Sequence, residues 1–283
     1  MERRDRSPEN SFLNTREVAE FSISLLPRAG QILREAYDSR MNLTYFPKAN
    51  GDFATNVDIE LEEFLRKEIR DRFPTAEILG EETAPEDYSD YKKFENLFII
   101  DPIDGTTNFS RGRSSFSVSL AFVKEGIPLV GVIYIPTTED LIYAEQGHDG
   151  AFCIKKNDEI RILDMHVSEN EDLNKAVIGS DLVSDPIKRK KVMQWIDKLQ
   201  QSNFRMWGSP VLSLGSVALG ELDGYINSGL KPWDMAASSL VIEKAGGKVT
   251  KPDGESWNVF EEDIFASNGV LHEQLLHSIN GAK

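Results

Sequence analysis

The segment that most restricts what this chain can become runs from residue 96 to residue 109. Asn96-Leu97-Phe98-Ile99-Ile100 is a short apolar run that stops abruptly at Asp101-Pro102-Ile103-Asp104-Gly105-Thr106-Thr107-Asn108-Phe109. An apolar run of that length suits a buried strand. Two carboxylates three residues apart at the end of one strand can face a common point across a tight turn. Pro102 stiffens that turn, and the carbonyl of Ile103 offers a neutral oxygen. Magnesium takes hard oxygen ligands in octahedral geometry and keeps several waters. Gly105-Thr106 then presents backbone N–H groups where a helix can begin, a place to seat a phosphate.

Three further segments carry compatible chemistry: Gly80-Glu81-Glu82-Thr83 after the apolar Ile78-Leu79, Trp233-Asp234 at the head of an expected helix, and Lys48 with Asp52 and Asp58 around the start of another. Each also has a plain structural reading. Asp101 can cap a turn before Pro102, and Asp104-Gly105 is an ordinary turn dipeptide. Asp234 can be an N-cap. Asp58 stands three residues after Thr55, the spacing of a capping box. Glu81-Glu82 can be a solvated acidic edge. The histidines His148, His166, His272 and His277 share no metal-ligand spacing, and Cys153 reads as a small buried apolar residue.

Charge narrows the partners. The formal net charge is −15, the opposite of the basic footprint that nucleic-acid binding requires. The dense basic run Lys188-Arg189-Lys190-Lys191 falls on an expected helix, Asp185 to Gln200, and reads as its solvated face. An acidic protein that handles an anionic substrate needs local positive charge, which bound cations supply. No apolar run approaches the roughly 20 residues that cross a bilayer. Met1 to Asn10 lacks the apolar core of a secretory signal and reads as a disordered tail. One cysteine excludes an intramolecular disulfide, and cytoplasm is the default compartment.

The periodicity is mixed. A helical stripe from Asn14 runs through Val18, Phe21, Leu25, Ala29 and Ile32, with Pro27 expected to kink or break it. A loop is expected at Tyr45 to Asp52, then a second helical stripe from Val57 to Ile69. Ser117 to Ala144 alternates like antiparallel hairpins. Helices are expected at Ser213 to Gly220 and at Trp233 to Ala245, the latter stopped by Gly246-Gly247. Strands are expected near Tyr225 and at Lys248 to Thr250. The weakest contact density is expected at 155–175, dividing an N-terminal α+β subdomain (11–165) from a C-terminal α/β subdomain (166–283).

Together these segments resemble the inositol monophosphatase family of the lithium-sensitive, magnesium-dependent phosphatase superfamily. GEE, DPIDGTTNF and a WD followed by AGG stand in order, and the resemblance runs from the Lys48–Asp58 stretch to Ser267-Asn268. It implies an α/β fold, a layered αβαβα sandwich with a predominantly antiparallel N-terminal sheet and a smaller mixed C-terminal one. It implies a first magnesium on Glu81, Asp101 and the Ile103 carbonyl, and a second on Asp101, Asp104 and Asp234, with a third, weaker ion near Glu81. Thr106, supported by Asp58, would orient the attacking water, so that Thr106, Asp58, Glu81 and Asp101 form the catalytic set. The Gly105 and Thr106 amides would hold the phosphate beside Asp104 and Asp234, and Gly208-Ser209-Pro210 would contact the alcohol. Asn227 stands where the family's inositol phosphatases commonly carry Glu and, by the same resemblance, would line the alcohol pocket. The implied activity is Mg2+-dependent hydrolysis of a small sugar or polyol phosphate without a covalent intermediate, in a homodimer, with inositol 1-phosphate the first expectation. Fructose 1,6-bisphosphate, histidinol phosphate and NADP remain open as substrates. A haloacid-dehalogenase phosphatase would separate its aspartates by one residue rather than two. A non-catalytic cation-binding protein would leave Thr106 and Asp58 with no purpose beyond capping.

Overall fold

The computed structural model describes residues 12–39, 42–48, 51–156 and 160–281, so the expected tail at 1–10 lies outside the described residues. Two sheets organise the chain. The larger has seven strands in sequence order: β3 (Glu77–Gly80), β4 (Leu97–Asp104), β5 (Ser117–Lys124), β6 (Ile127–Ile135), β7 (Asp140–Glu145), β8 (Ala151–Lys156) and β9 (Ile160–Met165). Only β3 and β4 pair in parallel; every later pair is antiparallel, joined from β5 onward by short hairpin connections. The smaller sheet is mixed, ordered β11 (Asn203–Arg205), β10 (Val177–Gly179), β12 (Gly224–Ser228), β14 (Asp263–Ser267) and β13 (Lys248–Thr250).

Strand alternation sets the layers. On β4, Phe98 and Ile100 join the core under α1 (Thr15–Asp38) and α2 (Asn56–Arg72). Leu97 and Ile99 point the other way, into a core shared with α5 (Pro210–Ala218) and α6 (Pro232–Lys244). Those two helices form the central layer between the sheets. On the far face of the small sheet, Ile178, Ile226 and Phe265 pack against α4 (Pro186–Lys198) and α7 (His272–Asn280). The result is a five-layer αβαβα arrangement. The sheets change over between Met165 and Val177, yet one hydrophobic cluster spans residues of both. The strands up to Met165 and those from Val177 on therefore lie in different sheets and share a core.

Three local expectations need correction. The first helix runs unbroken through Pro27. Its neighbours Leu25, Leu26 and Ala29 are fully buried, and that packing holds the turn although proline removes a backbone donor. The expected loop at Tyr45 to Asp52 contains a strand, β1 (Tyr45–Pro47), paired antiparallel with β2 (Phe53–Thr55). The helix expected from Ser213 begins at Pro210, because Ser209 caps it and proline is well suited to a first helical position. No described helix is long and apolar enough to cross a membrane.

Candidate active site

A β-bulge builds the core of the site. Asp101 pairs with Ser119 and Asp104 with Ser117, so three residues of β4 span two of β5. In a regular strand, residues three apart face opposite sides. Without the bulge, Asp101 would follow Leu97 and Ile99 toward the central helices while Asp104 turned away. The extra residue reverses the alternation. Ile103 accordingly packs into the α1–α2 core, and Asp104 turns back to the side of Asp101. Pro102 has no N–H to leave unpaired in the disrupted ladder. From the central layer, α6 brings Asp234 in its first turn, and one carboxylate oxygen each of Asp101, Asp104 and Asp234 lie within 4.8 Å of one another.

The surroundings hold each carboxylate in place. Asp104 Oδ2 accepts from the Ser209 hydroxyl and, at 3.1 Å, from the Val211 N–H. Asp234 Oδ2 accepts from the Lys231 N–H at 2.7 Å. Lys231, not Asp234, is the N-cap; Asp234 is the third helical residue, and its carboxylate closes the helix start from there while facing the cluster. Asp101 Oδ1 is buried with no hydrogen-bond partner, an acceptor for which the described residues offer no donor. Glu81 sits on a short 3-10 turn (Glu81–Thr83) that follows β3, where Lys48 Nζ lies 2.7 Å from Glu81 and 2.7 Å from Glu82.

Below the cluster, the Asp58 capping box is also part of the site. Asp58 Oδ2 accepts the Thr55 N–H at 2.8 Å, and Asp58 Oδ1 accepts the Thr106 hydroxyl at 2.9 Å. The Thr106 hydroxyl also lies 3.1 Å from the Ile103 carbonyl. Gly105 occupies the left-handed region at φ 92°, immediately before the short helix α3 (Thr106–Ser110). A Cβ there would come within 2.9 Å of the Ser115 carbonyl and 3.2 Å of the Gly208 carbonyl. Position 105 needs glycine for its backbone angle and for this close approach.

Burial makes the cluster reluctant to carry its charge. Burial first, then the neighbouring Glu81, Asp104 and Asp234 carboxylates, push Asp101 well above the usual carboxylate range. Asp104 is raised likewise by burial and by Asp234, against the stabilising Ser209 bond. Burial raises Asp234 to about 7, and burial with the adjacent Glu81 raises Glu82 to about 7. Lys48 resists the same burial because Glu81 and Glu82 hold its ammonium charged.

These groups line a cavity of about 600 Å³ between the halves. Lys48, Glu81, Asp101, Ile103, Asp104, Gly105, Thr106, Gly208, Pro210 and Asp234 all reach its wall. Two expected substrate residues do not. Ser209 is fully buried, with its hydroxyl spent on Asp104. Asn227 is fully buried in β12, its amide donating to the Tyr225 hydroxyl at 2.8 Å and accepting from the Ser228 N–H. Neither side chain reaches the wall; each lies one layer behind it. Asp181 stands in front of Asn227 and was not singled out from the sequence. It lines the cavity and accepts from the Gly208 N–H at 2.7 Å, the Ser213 hydroxyl at 3.0 Å and the Tyr225 hydroxyl at 3.1 Å. The available signal was its place just past the carboxyl end of β10, where open α/β sheets gather ligands. Lys231 was also overlooked. It lines the cavity half-buried, and its ammonium makes no ion pair among the described residues.

The chain is similar to known proteins over nearly its whole length. The inositol monophosphatase family model matches residues 14–283. The chain is 34% identical over 263 residues to a Thermotoga maritima fructose-1,6-bisphosphatase/inositol-1-monophosphatase, covering 92% of this chain and 95% of that one. It is 35% identical over 258 residues to the Nus factor SuhB of Pasteurella multocida, covering 89% and 91%. Among solved structures, the SuhB protein of Bartonella henselae superimposes with a TM-score of 0.82 at 29% identity, covering 94% of this chain and all of that one.

Proposed function

We infer the activity from a settled premise: this chain belongs to the inositol monophosphatase family, whose members are metal-dependent phosphatases. We propose that it hydrolyses a small sugar or polyol phosphate monoester with Mg2+, and that inositol 1-phosphate is the first substrate to test. The observation that carries this reading is the convergence of Asp101, Asp104 and Asp234 oxygens within 4.8 Å beside the Thr106–Asp58 hydrogen bond. The donor set fits a hard divalent cation. It is all oxygen, and the partnerless Asp101 Oδ1 is an acceptor that a cation would satisfy. Glu81, Asp101, the Ile103 carbonyl, Asp104 and Asp234 would hold two ions, with space for a third near Glu81. Bound Mg2+ would supply charge stabilisation for the phosphoryl oxygens and lower the pKa of a coordinated water.

The protein's own groups account for the remaining steps. Asp58 accepts the hydrogen bond of the Thr106 hydroxyl, which leaves the Thr106 oxygen lone pairs to accept from a water and aim it. The left-handed turn at Gly105 leads directly into α3, so that the Gly105 and Thr106 amides would hold the phosphate at its head. Gly208 and Pro210, steadied by Asp181, shape the wall that faces the alcohol. No side chain is required to form a bond to phosphorus. A homodimer in the cytoplasm completes the proposal, and sedimentation tests its oligomeric part.

A second substrate class has a specific observation in its favour. Lys231 is a cavity lysine that makes no ion pair among the described residues, so a sugar bisphosphate would place its second phosphate beside it. The name of the Thermotoga maritima relative covers both substrates. Phosphate release should be measured with and without Mg2+ over inositol 1-phosphate, fructose 1,6-bisphosphate, histidinol phosphate and NADP. Metal-dependent release from at least one is expected, and no release from any would end the phosphatase reading.

A further inference from the structure

Glu62 is a carboxylate buried in α2 beneath the turn that carries Glu81, and nothing in the chemistry above uses it. Its bonding is complete and points in one direction. Glu62 Oε2 accepts the Glu82 N–H at 2.7 Å, and Glu62 Oε1 accepts the Thr83 hydroxyl at 2.6 Å. Arg66, one helical turn on, donates from Nε to Glu62 Oε1 at 2.8 Å and also reaches the Ile78 carbonyl and the Thr83 hydroxyl. The pair thus grips β3 and the following turn on both sides of Glu81.

The glycine of the Gly80-Glu81-Glu82-Thr83 segment belongs to the same device. Its backbone angle is ordinary, at φ −124°, so conformational freedom does not explain it. A Cβ at position 80 would lie 2.6–2.7 Å from the Glu62 carboxyl atoms. The space left by the missing side chain is where Glu62 sits. On the opposite side, Lys48 holds the Glu81 carboxylate itself. Glu81 is therefore fixed through its backbone from below and through its oxygens from above.

Burying a carboxylate and a guanidinium is costly, and such a pair is weak support for stability alone. We infer that Glu62 is a positioning residue: by anchoring the backbone of residues 80–83 it aims Glu81 at the Asp101 cluster and so sets the affinity for the divalent cation. This rests on the proposed reading of Glu81 as a metal ligand. Partners one shell behind metal ligands typically change affinity by about 10–100-fold when removed.

The test is Mg2+ titration calorimetry on the purified full chain, with the metal-free melting temperature measured beside it. In Glu62→Gln, the amide nitrogen must face either the Glu82 N–H or the Thr83 and Arg66 donors, so one set of bonds is lost at constant shape. Mg2+ affinity should fall by roughly 10–100-fold. Thr83→Val keeps Glu62 and removes one tie, and should weaken Mg2+ binding in the same direction by less. It serves as the deciding variant if Glu62→Gln does not fold. A lower melting temperature with unchanged Mg2+ affinity in the folded variants would reduce Glu62 to a structural part and overturn the inference. Wild-type protein that neither binds Mg2+ nor releases phosphate would instead overturn the function on which it rests.

Discussion

The Thr106 hydroxyl lies 2.9 Å from one oxygen of Asp58, while the other oxygen of that carboxylate takes the Thr55 N–H at 2.8 Å. One side chain thus closes the start of α2 and accepts a hydrogen bond at the site. The fold cannot move one without the other. Burial raises Asp58 above its ordinary carboxylate range, while its bonds to Thr55 and Thr106 oppose the rise.

Thr106→Ala removes only the aiming hydroxyl. It should leave Mg2+ affinity nearly unchanged and lower kcat on the order of 10²–10⁴-fold, the usual size of positioned proton-transfer assistance. Steady-state kinetics at saturating Mg2+ decide it. A loss confined to KM would mean that Thr106 places the substrate instead.

Asp101→Asn should act on the metals. It keeps the shape of the side chain and removes a carboxylate that is repelled by Glu81, Asp104 and Asp234. Mg2+ binding and turnover should both fall steeply, while the metal-free protein becomes more heat-stable because repulsion in the cluster is relieved. Near-wild-type turnover at saturating Mg2+ would remove Asp101 from the ligand set.

Local chemistry was legible in the sequence, and tertiary chemistry was not. Asp101 and Asp104 stand out because strand, proline, aspartate and glycine fall within five residues. Their shared direction depends on a bulge that spacing alone only suggests. Thr55 and Asp58 are readable as a capping box at three-residue spacing. Ser209 and Asp104 meet across 105 residues, so sequence placed Ser209 on the substrate when it holds a carboxylate. Residue 227 could be matched by spacing, but its burial behind Tyr225 and Asp181 arises from the packing of β12 against α5, which no periodicity reports. The helix does not break at Pro27, because local propensity yields to a helix face packed against the large sheet.

The acidic cluster links pH, metal and stability. A carboxyl whose folded pKa is raised binds its proton more tightly folded than unfolded, so its contribution is complete below the unfolded value near 4 and is lost as pH rises through the folded value. Asp234 and Glu82, each raised to about 7, place that loss between about pH 4 and 7 in metal-free protein. Melting temperature without metal should therefore contain a component that declines across this window. Since ligands must be deprotonated, added Mg2+ should raise the melting temperature more at pH 8 than at pH 6. Equal Mg2+ shifts at both values, measured by scanning calorimetry, would contradict the coupling.

Asn227→Glu should behave as a core lesion rather than a specificity change. The new carboxylate would be larger, charged and fully buried beside the Tyr225 hydroxyl that already serves Asp181. An uncompensated buried charge costs on the order of 3–5 kcal/mol. Melting temperature should drop, and kcat/KM should shift in parallel for every substrate. A selective gain for inositol 1-phosphate at unchanged stability would show that residue 227 does reach the alcohol.

Lys231 separates the two substrate classes. It lines the cavity from the turn that precedes Asp234, and its ammonium makes no ion pair among the described residues. Lys48 is engaged by Glu81 and Glu82, and Lys188 by Glu262, so neither is as ready to receive a second anionic group. A charge-assisted hydrogen bond is worth roughly 1.5–3 kcal/mol, about a 10- to 150-fold preference. Lys231→Met keeps the length of the aliphatic stem and removes the charge. The ratio of kcat/KM for fructose 1,6-bisphosphate over inositol 1-phosphate should fall by about 10–150-fold if the second phosphate is read there. Losses of equal size for both substrates would show that Lys231 only offsets the negative field around Asp234, whose carboxyl it already holds down. The bisphosphate reading would then lose the observation that favours it.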